Sequence, residues 1–469
     1  VNELSSEILS DADIDIIEER FDINTEVERI YKLSPMQEGM LFLHLTDKNS
    51  TKYLIQNSII FEQKLDNEKV SNAFKKVVNK YSVLRSKFIA STRVPLQVIL
   101  KKYDLDAQYV DKTDENYSEI SIRNISENDF IRTFDLSTEL PIRLTNVEYA
   151  DKSVLIWSIH HIVVDGWSVY ILQKDFVDFY RNIATEDINP KRTLFYENYI
   201  NWLSQKNYYV AEKYWEKVLN GATVTSIKPV EKISEAYVVN DVSTDIDSSL
   251  QTKIVECAAE NGVTISTVMK SAFAIFLKIF ANTNDVIFGE VISGRNSNLE
   301  GINNAVGLFI NTIPVRIEFS EEDTGANILK FLQNQYIESD EFSYVSLAEL
   351  QNHIITGKEI NILYVCENYY KAEGSEELGE LLINKEETNY DLTLNVNTDA
   401  DGKFVVKLMY DKSMYLEKYA TYLLRKYIEI LKNMTAESEI AVKDYDILEE
   451  SERNTLLNEF NRANCDYPK

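Results

Sequence analysis

Val154 to Ile159 carries apolar residues on both alternating faces, the pattern of a strand covered on both sides rather than one lying half in solvent. Beyond it Val169, Leu172, Phe176 and Tyr180 recur at helical spacing, so a buried strand is expected to turn directly into a helix. Earlier in the chain, Tyr53 to Phe61 reads as a strand. Asp66 then caps a helix whose Val70, Phe74, Val77, Tyr81 and Leu84 share one face. The same order returns downstream: Ala236 to Ile246 alternates like a strand, and Asp247 opens a helix carrying Leu250, Ile254 and Ala258, closed by Asn261 and Gly262. Ser34, Pro35 and Gln37 form a helix start, with Met36, Met40 and Leu43 following on one face. Ser10 and Asp13 precede Ile14, Ile17 and Phe21 as a short capped helix on an acidic leader, read here as a linker. The polar, aperiodic stretch Ile183 to Thr193, with Pro190, is the expected boundary between two lobes of similar plan. Strands and helices mixed in both halves make the class α/β or α+β.

Composition narrows the partners. The 469 residues suffice for two large compact units, and 76 acidic against 49 basic residues give a formal charge of −27, which repels phosphate backbones and anionic lipid. Nucleic acid and membranes are therefore not expected as partners. The three cysteines, Cys257, Cys366 and Cys465, are too far apart in sequence for zinc or redox pairs, which suits a reduced cytoplasmic setting. No apolar run reaches the roughly 18 residues of a membrane helix. The chain opens on Val1 and stops at Lys469, as a piece cut from a longer polypeptide would.

The chemistry concentrates where the buried strand ends, at His160, His161 and then Asp165, Gly166, Trp167 and Ser168. Ligands commonly bind beyond the carboxyl end of a strand in α/β proteins. Successive residues of an extended chain face opposite ways, so one histidine is expected to be chemical and the other structural. A helix N-terminus near the ring disfavours imidazolium and would keep the reactive histidine neutral, as a general base requires. Asp165 reads as an N-cap or as the acid of a buried ion pair. Gly166 permits close backbone approach to a substrate oxygen. Metal binding is the weaker reading, since adjacent histidines rarely converge on one ion and no third ligand follows at a familiar spacing.

This His-His-x-x-x-Asp-Gly segment resembles the signature of condensation domains from nonribosomal peptide synthetases, and other segments agree in the family's order. Ser34 to Phe42 (SPMQEGMLF), Lys80 to Phe88 (KYSVLRSKF), Tyr196 to Trp202 (YENYINW) and Val306 to Arg316 (VGLFINTIPVR) are similar to its first, second, fourth and fifth motifs. Phe288 to Arg295 (FGEVISGR) and Asn389 to Leu394 (NYDLTL) are further family-like blocks. The second motif departs from the pattern: Lys80, Tyr81 and Ser82 stand where the family usually shows arginine, histidine and an acid.

The resemblance implies two chloramphenicol-acetyltransferase-like lobes in a V-shaped pseudo-dimer with a tunnel between them. Residues 27–190 would form the N-terminal lobe and 191–450 the C-terminal lobe, with residues 1–26 linking from a carrier protein and 451–469 leading toward an adenylation domain. The implied reaction is amide formation between an upstream acyl or peptidyl thioester and a downstream aminoacyl thioester. Both substrates ride on the phosphopantetheine of partner carrier proteins, and the domain itself, expected to be monomeric, binds no cofactor. His161 is the implied catalytic residue. His160, Asp165 and Gly166 support it, with Arg295 as the first choice and Arg85 as the second for the partner of Asp165. Trp167, Ser168, Asn311 and Ser343 are candidates for the tunnel wall. The opening motif resembles the subtype that accepts a donor ending in a D-residue. Competing readings are a coenzyme A-dependent acyltransferase of the same fold, for which no basic run is present, and a non-catalytic recruitment module, which would not need an intact histidine motif. The Glu-Gly-His-Gly-Arg segment of epimerization domains and the aspartate of heterocyclization domains have no counterpart.

Overall fold

In the computed structural model the described residues are 9–47, 50–182, 195–229, 237–296, 298–353, 359–367, 379–399, 401–455 and 457. The expected lobe boundary, Ile183 to Thr193, lies outside them. The first half runs α1 (Asp11–Glu18), β1 (Val27–Lys32), α2 (Pro35–Thr46), β2 (Leu54–Phe61), α3 (Asn67–Lys80), β3 (Ser86–Ile89), β4 (Leu96–Leu100), β5 (Gln108–Lys112), α4 (Glu119–Phe130), β6 (Ile142–Tyr149), β7 (Ser153–His160) and α5 (Gly166–Tyr180). Two helices follow, α6 (Tyr196–Ser204) and α7 (Tyr208–Leu219). The second half runs β8 (Val239–Asp245), α8 (Ser248–Asn261), α9 (Ile265–Ala281), β9 (Asp285–Ile292), β10 (Asn311–Glu318), α10 (Gly325–Asp340), α11 (Leu347–His353), β11 (Ile362–Glu367), β12 (Glu380–Glu386), β13 (Leu392–Thr398), β14 (Phe404–Asp411), α12 (Glu417–Ala436) and α13 (Glu450–Asn454).

The strands form a small antiparallel sheet, β1-β4-β3, and two large ones. The sheet of the first half has the order β12-β2-β7-β6-β5, and that of the second half β10-β9-β11-β13-β14-β8. β7, buried at all eight positions, is central to its sheet, as apolar residues on both of its faces require. α3 presents Val70, Phe74, Val77 and Val78 to the core with none of them accessible to solvent. Beneath the second sheet α9 buries Met269, Phe273, Phe276 and Leu277, each side chain contributing about 1.5–3 kcal/mol of apolar transfer. No single helix among the described residues is long and apolar enough to cross a membrane.

Two observations bear on the plan of the chain. The leader's residues from Leu9 onward pack on the fold. Ser10 and Asp13 close a capping box on α1, and Ile17, Phe21 and Ile23 pack against the β1-β4-β3 sheet. The lobes also do not divide cleanly at residue 190. α6 and α7 bury Tyr196, Tyr199 and Trp215 in a core to which both halves contribute, and β12 leaves the second half to become the edge strand beside β2.

Candidate functional site

The end of β7 is built as the apolar pattern requires, and it separates the two histidines. His160 turns into the fold. Its Nδ1 accepts a hydrogen bond from the Ile162 amide at 3.1 Å, and its ring meets the edge of His44 at 5.2 Å between centroids. Burial, with the rings of His44 and His161 adding to it, holds its proton affinity well below the ordinary value, so His160 is neutral.

His161 faces the other way, into a cavity of about 460 Å³ lined by both halves of the chain. Its amide donates to the Tyr53 carbonyl at 2.7 Å. Tyr53 lies in the left-handed region at φ 64°, a conformation that costs a non-glycine residue about 1–3 kcal/mol. The surroundings fix it there: the Tyr53 amide donates to Glu387 O at 3.0 Å and its hydroxyl to Asn389 Oδ1 at 2.7 Å. The residues just past β12 thus hold the loop that holds His161.

That arrangement brings Glu386 to the ring. In the register of the sheet Ile55 stands opposite both Ile159 of β7 and Glu386 of β12. The Glu386 carboxylate lies 3.4 Å from His161 Nε2, with 38% of its side chain exposed. Burial alone would favour the neutral ring, but contact with Glu386 and its charge, aided by Asp165, outweigh it and raise the proton affinity of His161 above the ordinary value. Burial likewise opposes ionisation of Glu386, and His161 together with Lys407 holds its carboxyl below the usual range. The expectation of a ring kept neutral by a helix N-terminus is therefore corrected: a carboxylate beside Nε2 dominates.

Asp165 fills both roles anticipated for it. It caps α5 by accepting from the Ser168 amide at 2.8 Å, and Arg295 Nη2 meets its two oxygens at 3.0 and 3.1 Å. The Phe309 amide donates to it as well, at 3.2 Å. Arg295 also donates to the carbonyls of Ile302 and Ala305 and lies 4.4 Å over the Phe309 ring. Since Asp165 belongs to the first half and Arg295 to the second, this buried pair joins the two halves immediately behind the histidine.

The remaining candidates separate. Gly166 and Trp167 line the cavity, as do Met36 and Met40 of the opening motif. Trp167 Nε1 donates to the Asn303 carbonyl at 2.8 Å. Ser168 is corrected: it is buried, and its hydroxyl donates to Gly307 O at 2.9 Å, so it serves the contact between halves and not the cavity wall. Asn311 and Ser343 are also absent from that wall. Asn311 donates to the carbonyls of Ser343 and Val345, and Ser343 donates to the carbonyl of Asp340. Arg85 is no partner of Asp165; it is a structural cation on Glu28 at 2.6 Å and on backbone carbonyls. In the divergent second motif Lys80 and Tyr81 both bind Asp175 at 2.5 Å.

Two features of the cavity had no signal in the sequence. Glu386 depends on a strand pairing across some 330 residues. Lys270 and Glu290, only 2% and 4% exposed, form an ion pair in the cavity wall with Nζ 2.7 and 2.8 Å from the two carboxylate oxygens.

A family profile described as "Condensation domain" matches residues 27–457. The chain is 30% identical to bacitracin synthase 3 of Bacillus licheniformis over 94% of its own length and 7% of that protein's. It is 31% identical to bacitracin synthase 1 of the same organism over 95% of its own length and 9% of that protein's. It thus spans a small part of these relatives. Among solved structures it is similar to the condensation domain of the monacolin K polyketide synthase (TM-score 0.76, 15% identity, 89% of this chain and 100% of that one). It also resembles part of a four-domain nonribosomal peptide synthetase (TM-score 0.78, 18% identity, 92% of this chain and 35% of that one). These likenesses establish the two-lobed fold.

Proposed function

The chain belongs to the condensation-domain family, and from that premise we propose that it forms amide bonds between two carrier-bound thioesters. The class of chemistry is acyl transfer. The acceptor's amine adds to the carbonyl of the donor thioester, a C–N bond forms and the C–S bond breaks. The proton lost by nitrogen passes through His161 to the departing thiolate. An amine is a competent nucleophile once neutral, so much of the acceleration comes from holding both substrates in one enclosed space.

The observation that carries this reading is the position of His161: its ring enters a cavity walled by both halves, while its neighbour His160 is turned into packed structure. Asp165 and Arg295 support it from behind by locking the turn to the second half. The roles of His160 and Asp165 are structural support, and Gly166 and Trp167 offer wall to the substrates. The partners proposed are an upstream donor carrier and a downstream acceptor carrier, whose phosphopantetheine arms bring the thioesters.

His161→Ala, mixed with two loaded carriers, is expected to lose amide formation by roughly a hundred- to ten-thousand-fold, the range of general-base catalysis. Undiminished turnover would overturn the assignment. The same assay with donors ending in D- and L-residues is expected to favour the D-form, in keeping with the SPMQEGMLF motif whose Met36 and Met40 line the cavity.

A further inference from the structure

We propose that Glu386 is the counter-charge of the His161 imidazolium, a positioning residue supplied to the first half's histidine by a strand of the second half. The inference rests on the reading of His161 as the proton acceptor.

The geometry has three parts. First, the carboxylate lies 3.4 Å from His161 Nε2 inside the same cavity. This is longer than the 2.7–2.9 Å of a tight charge-assisted hydrogen bond, so the contact is a loose one, and the charge of Glu386 adds to it. Second, its backbone is fixed. β12 pairs with β2 from Glu380 to Glu386, and Glu387 and Asn389 anchor to Tyr53, whose carbonyl holds the His161 amide. Third, the charged and titratable groups nearest the histidine turn are neutral or paired. Asp165 is paired with Arg295, Glu290 with Lys270, His160 is neutral, and Tyr53 is a buried phenol whose ionisation burial opposes. Glu367 shares the cavity wall from the end of β11, and the charges that raise the ring's proton affinity are those of Glu386 and Asp165. His161 itself favours the ionised form of Glu386, and Lys407, from β14, adds to that.

When His161 takes the proton from the attacking amine, positive charge appears on a side chain that is only 7% exposed. A carboxylate held beside it stabilises that charge. The proton then leaves with the thiolate sulfur, and the histidine returns to its starting state with no other reagent consumed.

The test is the titration of the four histidine rings by NMR in the wild type, Glu386→Gln and Glu386→Asp, alongside the pH dependence of amide formation. In Glu386→Gln the midpoint of His161 is expected to fall and the acidic limb of the rate profile to move to lower pH with it. Glu386→Asp, which keeps the charge on a shorter arm, should lie between. An unchanged His161 midpoint in a folded Glu386→Gln variant would overturn the proposal. Ring titration needs no substrate, so a failure of the amide-forming reading would appear in the rate assay alone.

Discussion

Asp165 and Arg295 are 1% and 5% exposed at their side chains, and removing one of them leaves the other charged, buried and unpaired. Breaking a buried pair in this way costs about 3–5 kcal/mol. Arg295→Ala should therefore lower the urea midpoint with an unchanged slope, and amide formation should fall with the fraction folded. The two histidines respond to pH in opposite directions. His160 binds a proton in the unfolded chain near the ordinary value of 6.5 and resists it in the folded one, so its contribution to stability is lost as pH falls through that value. His161, raised above its ordinary value, contributes stability that is present in acid and lost as pH rises through its folded midpoint. His160→Phe is expected to flatten the acid-side decline of the unfolding free energy, measured by urea titration at several pH values. A decline as steep as the wild type's would count against a neutral, buried His160.

Elements whose signals are local were legible in the sequence. The capping boxes at Ser10 and Ser34, the buried run of β7, the Asp165 cap and the left-handed Gly262 that ends α8 all follow from residues within a few positions of one another. The Arg295 partnership was reachable only through the family-like block that contains it. What stayed hidden depends on long-range pairing. β12 is a half-exposed strand with weak alternation, and nothing in its residues says that it joins β2. The resemblance puts Ser168 and Asn311 among the candidates for the tunnel wall, yet their hydroxyl and amide groups satisfy backbone groups inside the fold. A backbone requirement sits next to Arg295. Gly294 has φ 61°, and a Cβ there would stand 1.9 Å from the Phe309 carbonyl oxygen. Gly294→Ala should destabilise by at least about 1–3 kcal/mol, the cost of such strain, and displace Arg295; a wild-type melting curve would refute this.

Over the whole molecule the formal charge of −27 sets a self-repulsion that favours expansion. Raising ionic strength from about 0.01 to 0.15 M shortens the screening length from roughly 30 to 8 Å. The melting temperature is expected to rise over that interval, which differential scanning calorimetry would register, and a flat response would mean that the acidic residues are already compensated locally. Among the contacts that bind the halves to each other are the Asp165–Arg295 pair and the strand β12 laid along β2.

That crossing strand bears on any attempt to recombine such domains. A chimera joined near residue 190 would draw His161 from one parent and Glu386, Tyr53's anchors and Arg295 from the other. Parents must then be matched at this seam as well as at their substrate-facing walls, and grafting residues 380–389 together with the recipient's Tyr53 loop would carry the charge partner across intact.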